Sequence, residues 1–305
     1  MATGVGLESG AVAGEAHAGM FTALAVGTRP PAHLLSDEKF ADLAGEQIYL
    51  FLVAQAELIW YGEWMDATDE TTFQATIHRF LTGMDAAAQA SGQLEPDQLY
   101  APDSVTTDGW RAAQNAWETA VSGIDLIECS LHGKKRVSAT LDEVDKEHPD
   151  WSADQLKRLK HDLNSVLEAQ SLAAYAQRVR RNRERYADHP TVLKRLEILR
   201  DKRFLFTNHL KHDQASADSA PLDRSMRFLD EKLQVSGQYR AATAINPMLN
   251  AWAIVNNLRP FLPGAIKAGQ SLAEHFGAKL QGIPWMEALN LCTVGKLDTM
   301  NISTA

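Results

Sequence analysis

Three aspartates, Asp37, Asp108 and Asp223, stand at the starts or ends of separate elements, and together they could bind divalent ions for chemistry on phosphodiesters. Asp108 has the most distinctive setting, Tyr100-Ala-Pro-Asp-Ser-Val-Thr-Thr-Asp-Gly-Trp110. The β-favouring run Ser104 to Thr107 stops at Asp108-Gly109, which puts a carboxylate at the carboxyl end of a strand, where α/β sheets place their ligands. Asp37 follows Leu34-Leu35 in the block Ser36-Asp-Glu-Lys39, and Asp223 falls in the first turn of a helix opened by Pro221. Asp230 and Glu231, about two turns further on, compete with Asp223 for the third place. Brought together, three such acids would hold two divalent ions about 3.5–4 Å apart, a clamp for the attacking and leaving oxygens of an in-line displacement. Hard carboxylate oxygens suit Mg²⁺ or Mn²⁺. Each acid also has a plain structural use: Asp-Gly is a common turn pair, Asp37 would serve a solvated turn or cap, and Asp223 favours a helix N-terminus.

The elements that must position these acids are legible in outline. Ala32 to Ser36 reads as a first short strand, and Gln47–Val53 and Leu58–Tyr61 read as a hairpin. A helix is expected from Asp69 to Ala88, with Phe73, Ile77, Phe80, Leu81 and Met84 at helical spacing and Asp69 or Thr71 as cap. The strand ending at Asp108, a helix through Trp110 and Trp117, and a strand ending at Cys129 complete a β-β-β-α-β-α-β order. The two tryptophans fit the core better than a DNA-stacking role. From Ser138 to Leu210 the sequence is charged and helical, broken at Pro149 and Pro190, with a basic block at Arg178, Arg180, Arg181, Arg183 and Arg185. Such a block is usually a solvated helix face, and phosphate binding is its alternative use. After a polar loop from Lys211 to Ser219, Leu222, Met226, Leu229 and Leu233 form an apolar seam. Helices are expected again at Leu249–Leu258 and Lys267–Phe276, with Pro284-Trp285 near the end.

The segments Ser36-Asp-Glu-Lys39, Tyr100-x-Pro-x-x-Val-x-Thr-Asp-Gly-Trp110, Cys129-x-x-His132 and Leu222-Asp-Arg224 resemble the ordered blocks of insertion-sequence transposases of the DDE/DDD class. The resemblance spans about residues 32 to 290, where Trp252-Ala-Ile-Val-Asn-Asn and Ser271-Leu-Ala-Glu-His-Phe-Gly are similar to the family's closing helices. It implies an α/β fold of RNase H-like type, a mixed sheet flanked by helices, with a helical insertion and a helical C-terminal region. The corresponding divisions are 1–31, a loose N-terminal segment; 32–137, the first part of the core; 138–212, the insertion; and 213–305, the helical completion and tail. It further implies that Asp37, Asp108 and Asp223 are catalytic and bind Mg²⁺ or Mn²⁺. Cys129, His132, Trp110 and Arg224 would support them. The implied partners are DNA ends and target DNA, acted on by a homo-oligomer. The stretch Ala217-Asp-Ser-Ala220 departs from the Arg-Thr-Ser-Asn usual before the third acid, and only about 30 unpatterned residues precede Asp37 where a helix-turn-helix reader is usual. Both departures favour a rival reading, an inactive or truncated relic that serves as a DNA- or protein-binding module. A helical interaction protein without a central sheet is a third.

Composition narrows the classes. The chain has 305 residues, is 45% hydrophobic, and carries a formal charge of −9, which argues against a surface that coats nucleic acid throughout. Its apolar runs fall far short of the roughly 20 residues that span a bilayer. Cys129 and Cys292 form no disulfide or zinc pattern, and no basic segment precedes Arg29, so a cytoplasmic location is expected.

Overall fold

The computed structural model describes residues 20, 23–24, 26–236, 241–265, 268–280 and 287. The chain enters a meander of β1 (His33–Leu43), β2 (Glu46–Gln55) and β3 (Leu58–Met65). It then crosses through α1 (Glu70–Ala90) to β4 (Ser104–Thr107), and through α2 (Arg111–Ala120) to β5 (Asp125–Glu128). The sheet order is β3-β2-β1-β4-β5. β2 runs antiparallel to both its neighbours, whereas β1, β4 and β5 are mutually parallel. The molecule is therefore an α/β protein with an open mixed sheet flanked by helices.

Strand alternation divides the core. Phe51 and Val53 of β2 face α1 and α2 and meet Phe73, Phe80 and Trp117, while Leu50, Leu52 and Ala54 face the other way. Both faces are covered, which explains why β2 reads as one continuous apolar run. The second face is packed by α8 (Ala220–Ser236) and α9 (Ile245–Leu258), through Leu222, Met226, Leu229, Leu249 and Trp252. Leu233, the last member of the expected seam, has a side chain outside the described ones.

Between β5 and α8 lie α3 (Ser130–Glu147), α4 (Ala153–Leu167), α5 (Leu172–Arg185), α6 (Pro190–Asp201) and α7 (Arg203–Thr207). They enclose their own core of Val137, Leu159, Leu163, Tyr175, Val192 and Leu196. Pro190 begins α6, the position where its missing N–H costs least.

Three expectations change. Within the segment expected to be loose, Met20, Ala23 and Leu24 are buried in the main core, and the Tyr100 hydroxyl donates to Pro31 O at 2.6 Å. The first strand runs on to Leu43, so Asp37 lies inside it. The helix expected over Lys267–Phe276 contracts to α10 (Leu272–His275), with Ser271 and Glu274 forming a capping box that sets its start. Lys267, Pro284, Trp285 and Cys292 lie outside the described residues. No helix among the described residues is long and apolar enough to cross a membrane.

The free edge of β3 is covered by amides from α9. Asn257, fully buried, accepts from Ile59 N at 2.9 Å and donates to Ile59 O at 2.7 Å, and Asn246 accepts from Trp64 N at 3.1 Å. A side-chain amide thus stands in for the next strand, satisfying a backbone that would otherwise be open. Replacing Asn257 by Leu leaves both Ile59 groups unpaired, and chemical denaturation should show a loss of about 2–4 kcal/mol.

Candidate metal centre

β1 pairs with β4 only as far as Leu35↔Thr106, whereas its pairing with β2 continues to Leu43↔Glu46. Beyond Leu35 a gap opens between β1 and the end of β4. This is also where the sheet changes direction of growth, since the chain adds β2 and β3 on one side of β1 and then β4 and β5 on the other. Such switch points are the usual ligand sites of open α/β sheets.

Three carboxylates line this gap. Asp37, Glu38 and Asp108 each offer an oxygen, all within 4.8 Å of one another. Alternation sends Leu34, Ser36 and Glu38 to one face of β1 and Leu35, Asp37 and Lys39 to the other. Asp108, one residue past β4, meets acids from both faces. Glu38 N–H donates to Asp37 Oδ1 at 2.9 Å, but both Glu38 oxygens are buried without a hydrogen-bond partner among the described residues. The Ser36 hydroxyl and His132 Nδ1 are in the same condition. Burial, then the charges of Asp108 and Asp223, push the Asp37 carboxyl up to about 6, with His132 pulling the other way. Burial, then Asp108 and Asp37, raise Glu38 well above the carboxylate range.

Asp108 is fixed by its turn. Its Oδ1 accepts from Trp110 N at 2.7 Å, and its carbonyl accepts from Arg136 Nη2 at 2.6 Å. Gly109 sits at φ +92°, and a Cβ there would fall 2.6 Å from Arg136 Nη2 and 2.7 Å from Glu128 Cδ. Glycine is thus demanded twice, by backbone sign and by space. Arg136 in turn is held by Glu128, a buried acid at the end of β5 that also accepts from Lys202 Nζ at 2.7 Å. The two cations offset a charge that burial alone would make very costly.

Asp223 reaches the centre from α8. Its charge acts on Asp37, although it is not among the three acids with converging oxygens. The loop before it is docked on the ends of β4 and β5. Thr106 Oγ1 donates to Ser216 O at 2.7 Å, Ser130 N to Ala217 O at 2.9 Å, and Ser219 N to Cys129 Sγ at 3.3 Å. Asp218 Oδ1 then accepts from Ala220 N at 3.0 Å as α8 begins. Cys129 is free and buried, and it positions this loop. His132, in the first turn of α3, faces the acids.

The other expected residues divide. Trp110 flanks the centre and packs edge-on against Phe73 and Tyr49, while Trp117 is wholly core. Arg224 turns elsewhere, with Nε 2.6 Å from Glu57 Oε1 at the β2–β3 turn. Asp230 is paired with Lys39 and Glu231 is exposed, so Asp223 is the acid of α8 that addresses the centre. Glu38, Glu128 and Arg136 were not expected as parts of the site. Period-two alternation from Leu34 through Ser36 to Glu38 was the signal for Glu38, since it puts a carboxylate on the face that Leu34 buries, where it is unfavourable without a compensating charge.

An open groove of about 460 Å³ leads from the centre, lined by Asp108, Trp110, His132, Lys135 and Arg136. Converging hard oxygens, with the Glu38 carboxylate oxygens buried and unpartnered among the described residues, fit a divalent cation such as Mg²⁺ or Mn²⁺. Neither the models of known protein families nor the curated proteins contain a match to this chain.

The raised Asp37 carboxyl has a consequence for stability. Between pH 3.8 and about 6 the folded chain keeps a proton that the unfolded chain has released, so stability falls as pH rises through that window. The shift corresponds to a penalty of about 3 kcal/mol, complete above the folded value. In metal-free buffer Asp37→Asn should therefore be more stable than the parent by about 1–3 kcal/mol at pH 7.5. That advantage should shrink at pH 4. Denaturant titrations at the two pH values measure it, and equal stability at pH 7.5 would mean that the chain already compensates the charge. Separately, Gly109→Ala should cost about 2–4 kcal/mol in the same assay, through strain and displacement of Arg136.

Proposed function

We propose that this chain is a transposase-like enzyme with an RNase H-like core that cuts DNA phosphodiesters and joins the freed 3′-hydroxyl to a target. The observation that carries the reading is the convergence of Asp37, Glu38 and Asp108 at the sheet's switch point, with Asp223 bearing on Asp37 from the helix after the insertion. The mixed sheet flanked by helices, with further helices between β5 and α8, supports the RNase H-like reading.

Asp37, Glu38 and Asp108 would hold the metal, with Asp223 completing the set. A divalent ion there would supply an activated water and offset negative charge developing on the phosphate oxygens. The protein's own part is to orient and to exclude. Lys135 and His132 line the groove on the α3 side, where they would meet phosphate oxygens, and Trp110 walls the opposite side. Arg136 is occupied with Glu128 and the Asp108 carbonyl, so it fixes the catalytic turn. In-line attack by water gives a nick, and attack by a 3′-hydroxyl gives strand transfer, without a covalent enzyme intermediate. The same reading makes DNA ends and target DNA the partners, a homo-oligomer the working form, and the cytoplasm its location.

One observation favours a second reading, a DNA- or protein-binding relic: the loop before Asp223 reads Ala217-Asp-Ser-Ala220 and spends Asp218 and Ser219 on folding contacts. A nicking assay separates the two. Supercoiled DNA incubated with Mn²⁺ should be cut by the parent and at least about 100-fold more slowly by Asp108→Asn, since the lost interaction belongs to the transition state. Equal nicking by parent and variant would remove Asp108 from the mechanism, and no cutting by either would favour the relic.

A further inference from the structure

Away from the acid centre, a cavity of about 590 Å³ lies between α5, α6 and α7 of the helical insertion. That volume is within the range of small-ligand sites, about 300–1,000 Å³. Its floor is apolar and rigid. Tyr175 and Val179 are buried in the insertion's core, and the Tyr175 hydroxyl is fixed by a 2.8 Å bond to Leu199 O. Its rim carries four guanidinium groups, those of Arg180, Arg183, Arg200 and Arg203, against the one carboxylate of Glu184.

The arginines are only loosely committed. Arg180 pairs with Glu184 at 3.7 Å, and Arg200 with Asp201 at 2.9 Å and Glu197 at 3.4 Å, exposed pairs of the kind worth little and readily exchanged for another anion. Among the described residues Arg183 and Arg203 have no carboxylate partner, and the Arg203 guanidinium rests 4.3 Å above the half-exposed ring of Phe204. In a chain of net charge −9, α5 alone has Arg178, Arg180, Arg181, Arg183 and Arg185 against the single acid Glu184. A site for a bare anion needs no apolar floor, and a site for an apolar ligand needs no ring of guanidiniums. A nucleotide unit needs both.

We propose that this cavity receives a nucleotide of an unpaired DNA strand, its base on the Tyr175 and Val179 floor and its flanking phosphates on the four arginines. The assignment rests on the reading of DNA as the substrate, and it adds a strand-holding site in the insertion, separate from the metal centre. The apolar floor would shield the base from water, and the phosphate contacts make binding salt-dependent.

Fluorescence anisotropy with the full chain in EDTA, where no cutting occurs, tests it using a labelled short oligothymidylate and an abasic strand of equal length. The oligothymidylate should bind at least about tenfold more tightly than the abasic strand. Arg183→Gln with Arg203→Gln should weaken binding about tenfold and flatten the plot of log affinity against log salt by about 1.4, for two phosphate contacts. Ala176→Glu, an exposed helical position lining the cavity, should weaken binding with the thermal melt unchanged. Equal affinity for the abasic strand, or parental affinity in both variants with intact melts, would overturn the proposal. A chain that shows the base preference but never cuts DNA defeats only the transposase reading. One that cuts but binds both strands equally defeats only the cavity assignment.

Discussion

The structure turns on negative charge confined where β1 parts from β4. Two carboxylates on consecutive residues, Asp37 and Glu38, leave opposite faces of one strand and converge with Asp108 at the end of its neighbour. Burial prevents water from separating these groups, and among the described residues neither Glu38 oxygen has a hydrogen-bond partner. An arrangement that opposes folding at neutral pH persists only if the surrounding structure over-determines it. A divalent cation held by these acids would relieve their mutual repulsion.

The surrounding structure supplies that determination from three directions. Gly109 lets the Asp108 turn close onto Arg136, and Glu128 holds Arg136 together with Lys202, which ties the turn to the helical insertion. Cys129 and Thr106 grip the loop that delivers Asp223, so the third expected acid is set by contacts made at the ends of β4 and β5. Asn257 and Asn246 close the far edge of the sheet and hold α9 against it. The helices α3 to α7, with their own core, are therefore coupled to the Asp108–Gly109 turn through Glu128.

Much of this was legible in the residues, and the failures have physical causes. Strands β2 to β5 and helix α1 followed from apolar period and from Asp69, which caps α1 by accepting from Thr72 N at 3.0 Å. Asp37 and Asp108 were identifiable because their neighbours are β-favouring, and the structure places them together. The full length of β1 was not, since its second half, Lys39 to Leu43, interrupts Phe40, Ala41 and Leu43 with two charges and pairs on one side only. Glu38 was overlooked because a charged four-residue block reads as a solvated turn, and only the parting of two strands reveals it as buried. Arg224 was expected near the acids by its adjacency to Asp223, yet neighbouring helix positions point in different directions and it reaches Glu57. Met20 and Leu24 gave no periodic signal, so their burial depended on tertiary packing that sequence alone does not encode.

The central claim, that Asp37, Glu38 and Asp108 form a site for a divalent cation, is tested most directly by calorimetric titration of Mn²⁺ into the parent chain, Asp108→Asn and Glu38→Gln at pH 7.5. Saturable binding by the parent, lost in Asp108→Asn and weakened at least about tenfold in Glu38→Gln, is the predicted result. Parental binding in both variants, or none in any of the three, would contradict it.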